Sequence, residues 1–170
     1  MNSKSRSIGV YILAVLLTFE ALAAFYGSYQ MINDPTGESI RLPLKLLKGT
    51  IFSNYLIPGI LLFLLIGFPS SFLVFPVVKK PNWPLFKNLN IYKNYHWAWA
   101  FSLYNSIILI LWVDFQMIIL SVGSLIQGIF SLFGISMLIL TLTPGVKADY
   151  RLHSHSRHQH NTHRSRSTAN

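Results

Sequence analysis

The stretch YLIPGILLFLLIGFPSSFLVFPVV, residues 55–78, runs for 24 residues without a charge. An uncharged apolar run longer than about 18 residues reads as a helix crossing a bilayer. Pro58 falls in its first turn, where the missing N–H costs little. Gly67 and Pro69 interrupt it and are followed by Ser70 and Ser71. That pattern predicts a kink whose freed carbonyls are satisfied by hydroxyls or by neighbouring helices.

Working outward, three further runs share this character. Ile8–Tyr26 has 19 residues, about 28 Å of helix, close to the hydrocarbon thickness. Lys4 and Arg6 precede it, and Ala21-Leu22-Ala23 imitates a signal-peptide cleavage site. The apolar character continues through Ala24, Phe25 and Tyr26, which favours a retained helix. The third run is Ala98–Leu120, with one acid, Asp114, and the fourth is Val122–Leu142, stopped by Thr143-Pro144-Gly145. Only Ser121 to Ser124 can turn the chain between the last two, so they are expected to be antiparallel neighbours. The fold expected is all-α: a bundle of four transmembrane helices (8–26, 55–78, 98–120, 122–142) within a membrane domain 1–145. A disordered, basic, His-rich tail 146–170 follows.

Composition agrees. Hydrophobic residues make up 52% and charged ones 11%, against roughly a quarter charged in an ordinary soluble domain. The absence of cysteine excludes thiolate catalysis, disulfide exchange and cysteine-ligated metal. The net charge of +9 sits in segments flanking the spans, which argues for topology control and against nucleic acid. Lys4 and Arg6, four lysines in loop 79–97, and five basic residues in the tail place eleven Lys and Arg on one side. The other side has Arg41, Lys45 and Lys48, with Asp34 and Glu38 beside them. By the positive-inside rule both termini are expected in the cytoplasm. Trp83, Tyr92, Tyr95, Trp97 and Trp99 at the inner edge, and Tyr26, Tyr29 and Tyr55 at the outer edge, read as headgroup-zone aromatics.

Two carboxyls lie within the spans, Glu20 and Asp114. A carboxylate at a helix centre costs about 2.5–3.5 kcal/mol on insertion scales, so neither is expected to face lipid. Glu20 lies about 18 Å and Asp114 about 24 Å up their helices from the cytoplasmic end. If their helices adjoin, the two could line one outward-facing pocket with Gln116 and Gln127, and a close pair would share a proton. The alternative is a carboxyl bonded to a neighbouring helix through Gln116, Asn105, Tyr104 or Gln127. No basic residue lies within a span to pair with either acid.

The outer loop 27–54 contains a turn, Asn33-Asp34-Pro35-Thr36-Gly37. Arg41–Gly49 then reads as a short interfacial helix, either a lid over the pocket or an anchor for the loop. The inner lysines Lys79, Lys80, Lys87 and Lys93 are suited to anionic lipid headgroups or to topology control alone. In the tail, His153, His155, His158, His160 and His163 could hold Zn, Ni or Cu weakly, or reflect the drift of a disordered basic segment. His96 reads as structural. Ser124 and Gly128, four apart, permit close helix approach, within the bundle or in a homo- or hetero-oligomer. No phosphate loop, zinc-protease helix, nucleophile elbow or internal repeat is present, and no cofactor follows from these residues.

Asp34-Pro35-Thr36-Gly37, Leu42-Pro43 and Tyr55-Leu56-Ile57-Pro58-Gly59 are similar to motifs of small four-span bacterial membrane proteins. In those proteins a D-P-[ST]-G turn leads through an outer loop to Y-L-I-P-G at the second helix. Trp112 and Asp114 loosely echo a Trp-then-acid pattern in their third helix. The resemblance covers residues 10–142 and implies a four-span fold in the plasma membrane. It implies no activity and supplies no catalytic residue. Three kinds of role follow: a pocket for a small lipophilic or protonatable ligand, a structural or assembly partner of another membrane protein, and a small transporter or membrane enzyme. The last has the least support, since four helices without a repeat or broken-helix pair lack transporter architecture.

Overall fold

The computed structural model describes residues 6–120 and 125–152. Six helices cover most of them: α1 Ile8–Asn33, α2 Leu56–Lys79, α3 Pro84–Leu89, α4 Trp97–Leu120, α5 Leu125–Leu142 and α6 Pro144–Tyr150. Of these, α1, α2, α4 and α5 are long and apolar enough to cross a bilayer. Large apolar side chains stay exposed on all four, among them Val15, Leu64, Leu111 and Ile129. A continuous apolar exterior of this kind suits lipid and not water. The chain is a multi-pass membrane protein.

The first span is longer than the apolar run suggested. It continues seven residues beyond Tyr26, to Asn33, and the polar side chains Ser28 and Asn33 bond back to the carbonyls of Ala24 and Tyr29 within the helix. The interruption expected in α2 takes the form of a π-turn over Phe63–Gly67, just before Pro69. Ser70 Oγ donates to Ile66 O (2.6 Å) and Ser71 Oγ to Phe68 O (2.9 Å); these are back-bonds within the helix and do not reach Leu65 O, the carbonyl that Pro69 leaves without its α-helical donor.

The turn at 121–124 lies outside the described residues, but α4 and α5 are antiparallel partners. Trp99 Nε1 near the start of α4 donates to Thr141 O at the end of α5 (2.8 Å). Halfway along, Gly134 lies so close that a Cβ there would come within 2.8 Å of Ile110. A Cβ on Gly59 would come within 2.7 Å of Met31, and one on Gly67 within 2.8 Å of Phe25, so α1 and α2 come together as tightly. Ser124 is outside the described residues, and a Cβ on Gly128 would meet nothing within 4 Å.

Both ends of the described chain meet at one end of the bundle. Ser7 N–H donates to Asp149 Oδ2 (2.7 Å), and Lys80 Nζ to Asp149 O (2.7 Å). The Lys80 ammonium also stands 4.5 Å from the centre of the Tyr150 ring, whose hydroxyl donates to Val77 O. His96 N–H bonds Tyr150 O and Leu152 N–H bonds Asn94 O, both at 2.8 Å. The tail boundary expected at residue 146 therefore falls inside α6, whose Val146 and Tyr150 are buried. Of the four lysines in loop 79–97, Lys80 is committed to this clasp, and Lys93 Nζ to the carbonyls of Lys87 and Asn88.

Of the five aromatics expected at this edge, Trp97 and Trp99 belong to the core, Trp83 and Tyr95 are half-buried, and Tyr92 is exposed. Phe72, Trp83, Phe86 and Trp97 stack within 6.5 Å of one another. Tyr55, at the opposite end, is buried too, whereas Tyr26 and Tyr29 are exposed as expected.

His96 opens α4. Its Nδ1 accepts from Ala98 N–H (3.2 Å), which leaves Nε2–H to donate to Pro81 O (3.2 Å). Burial holds the imidazole below its ordinary value of 6.5, against the pull of the Pro81 bond, and nearby Lys80 adds to the depression. A proton on Nδ1 would delete the cap and set a cation at a helix N-terminus. A group depressed in the folded state binds more protons when unfolded, so stability falls as pH drops below about 6.5. Thermal melts should therefore decline between pH 7.5 and 5, and His96→Asn, which keeps a cap without the charge, should flatten that slope. An unchanged slope in the variant would assign it elsewhere.

Candidate functional site

The end of the bundle opposite the clasp holds a cavity of about 310 Å³. It reaches from Glu20 on α1 to the loop side chains Leu42, Leu47 and Phe52, with α4 and α5 contributing Trp112, Phe115 and Phe130. The loop forms its roof. Asp34 Oδ1 accepts from Thr36 N–H (3.1 Å) and Oδ2 from Ser39 N–H (2.8 Å), tightening the turn. The Thr36 hydroxyl, which also donates to Oδ1, and then the Ser39 N–H favour the charged form and hold the Asp34 carboxyl below the usual carboxylate range. Gly37 follows at φ +80°, and Tyr55 packs directly on it. Tyr55 N–H donates to Pro35 O (3.0 Å), so the D-P-T-G turn and the Y-L-I-P-G lead-in meet in space.

The expected loop helix over 41–49 is a four-residue 3₁₀ segment, Leu44–Leu47. Pro43 starts it, and its short length leaves only Leu47 buried, against Met31 and Tyr55.

Glu20 is buried in the bundle, 1% exposed. Its Oε2 accepts from Asn105 Nδ2 on α4 (2.8 Å), and Asn105 Nδ2 also lies 3.2 Å from Ser70 Oγ on α2. Three helices thus converge on one carboxyl, through the Asn105 that was one of the partners foreseen. Its other oxygen, Oε1, is buried with no hydrogen-bond partner among the described residues, and so is Trp112 Nε1. Both residues line the cavity.

Of the residues singled out in the sequence, Glu20, Gln116 and Gln127 come together at this cavity. Asp114 does not line it and is half-buried on another side of α4. The reason is helical phase: Leu109, Trp112, Val113 and Gln116 recur at spacings of three and four and share a face, and Asp114 lies off it. The pocket shared by two acids is not formed. Trp112, in the sequence no more than a loose echo of a motif, carries the second orphaned polar group here, its indole N–H. The same periodicity, applied around Gln116, points to it. The five histidines His153, His155, His158, His160 and His163 lie outside the described residues. Among the described residues no three metal-binding side chains cluster.

Comparison with family models, with curated proteins and with solved structures finds no match.

Proposed function

We propose that the protein binds a small, predominantly apolar ligand carrying polar groups in the cavity between Glu20 and the 34–55 loop. The observation that carries this reading is the pair Glu20 Oε1 and Trp112 Nε1. Both are buried at an apolar cavity and lack partners among the described residues. A buried polar atom without a partner costs about 1–3 kcal/mol, which a ligand supplying the missing bonds would recover. The cavity volume lies at the small end of ligand pockets, and its mixture of apolar lining and few polar atoms is theirs. The positive-inside count supports cytoplasmic termini and an outward-facing cavity, in the plasma membrane that the motif resemblance implies. The loop would then be its lid.

The test uses full-length protein in nanodiscs with the apolar dye N-phenyl-1-naphthylamine, read by energy transfer from tryptophan. Trp112 is the one tryptophan lining the cavity. Saturable binding at one site is expected. Ala23→Leu, which fills the lining, should weaken it about tenfold, or about 1.4 kcal/mol, with little change in melting. Dye uptake no greater than in empty nanodiscs would sink the proposal.

A further inference from the structure

We infer that the ligand of this cavity is a lipophilic organic cation, its nitrogen placed against Glu20 and its apolar body among the aromatic rings. The inference rests on the ligand-binding reading above and adds the charge of the ligand. It starts from the inventory of the site. Glu20 supplies the one carboxyl lining the cavity, with one oxygen held by Asn105 and the other without a partner among the described residues. The groups that face it from the packed helices are neutral: Asn105 from α4 and Ser70 from α2. No Lys, Arg or His lines the cavity among the described residues, and none lies inside a span short of Lys79. Any countercharge to this carboxylate therefore comes from outside the chain, as a proton or as part of a ligand.

The rest of the lining selects between ligand classes. Phe52, Tyr55, Trp112, Phe115 and Phe130 surround the space. Aromatic faces attract cations, and most strongly where water is excluded. An anionic amphiphile such as a fatty acid would bring a second carboxylate to Glu20 with no cation to separate them. A sugar or other polyol would leave most of its hydroxyls unpaired against an apolar wall. An alkyl or aryl ammonium satisfies both the carboxylate and the rings. The indole N–H of Trp112 lies seven residues beyond Asn105 on α4, about 10 Å of helical rise. It can donate to an ether or carbonyl oxygen toward the other end of such a molecule.

The test compares two probes of equal shape on full-length protein in phosphatidylcholine nanodiscs. One is 4-phenylbutyl-trimethylammonium, and the other its neutral isostere with a quaternary carbon in place of nitrogen. Equilibrium dialysis, with empty nanodiscs as the blank, gives each affinity for the protein. The cation should bind about tenfold or more tightly than the isostere. Glu20→Gln keeps an acceptor for Asn105 and should abolish the preference, while Glu20→Asp should retain it. Binding of the neutral probe reports that each variant is folded, and if Glu20→Gln fails that check, wild type and Glu20→Asp decide. Equal affinity for both probes, or a preference that survives in Glu20→Gln, overturns the cationic assignment. In that case neutral-probe binding that is lost in Ala23→Leu leaves the ligand-binding reading standing. If neither probe binds beyond the blank, both readings fall.

Discussion

Gly37→Val should unfasten the loop that roofs the cavity and lower stability by more than about 3 kcal/mol. Two penalties combine at this residue. A left-handed φ of +80° costs a β-branched side chain about 1–2 kcal/mol or more. A Cβ built there would also sit 2.2 Å from Leu42 O and 2.6 Å from the Tyr55 ring. The first of those neighbours is backbone, held by the bond from Leu42 N–H to Gly37 O (2.9 Å), so it cannot rotate away. Either the turn opens or Tyr55 leaves its place, and the Tyr55 bond to Pro35 O goes with it. Gly49→Val is the control. It shares the positive φ, +86°, but its Cβ would meet nothing within 4 Å, so only the conformational cost applies. Melting temperatures and proteolysis of residues 34–54 should separate the two variants clearly. Equal losses would mean that the contacts with Leu42 O and Tyr55 contribute nothing.

The second large effect lies at the centre of the bundle. Asn105→Leu should destabilise by about 3 kcal/mol, much more than one interhelical hydrogen bond is worth in a membrane, about 0.6 kcal/mol. The difference arises because the substitution removes the amide donor of Glu20 in a buried place and leaves the carboxyl only the Ser70 hydroxyl nearby. Removing the carboxyl as well should therefore restore stability. The double variant Glu20→Leu/Asn105→Leu is expected within about 1 kcal/mol of wild type, a coupling of about 2 kcal/mol or more. Equilibrium unfolding in mixed micelles measures all four corners of the cycle. Additive losses would sink the account of Glu20 as a group stabilised mainly by Asn105. The double variant should at the same time lose the cation preference, so that stability and binding part company at one residue.

Both effects trace to features with different visibility in the chain. The spans were legible because crossing a bilayer is a local demand: about 20 apolar residues, no charge, and internal bonding of every backbone group. The interruption of α2 was legible for the same reason, since Gly67, Pro69, Ser70 and Ser71 lie next to one another and break the regular α-helical bonding locally. That Glu20 needs a partner followed from the cost of a lone carboxyl in hydrocarbon. Which partner it takes did not follow. Asn105 lies 85 residues away, and three other side chains on α4 and α5 had been equally eligible.

The amino-acid order thus determined by itself how many helices are long and apolar enough to cross, where α2 is interrupted, and that a carboxyl inside a span should turn away from lipid. The tertiary structure alone decided which face each helix turns inward. It set Trp112 at the cavity and Asp114 away from it, and brought Gly37 under Tyr55. It also drew Trp97, Trp99 and Tyr150 into the core at the other end. The physical reason is that lipid rewards every apolar face of a span alike. Rotation and partner choice are settled by close packing and a few buried polar bonds between residues far apart in the chain.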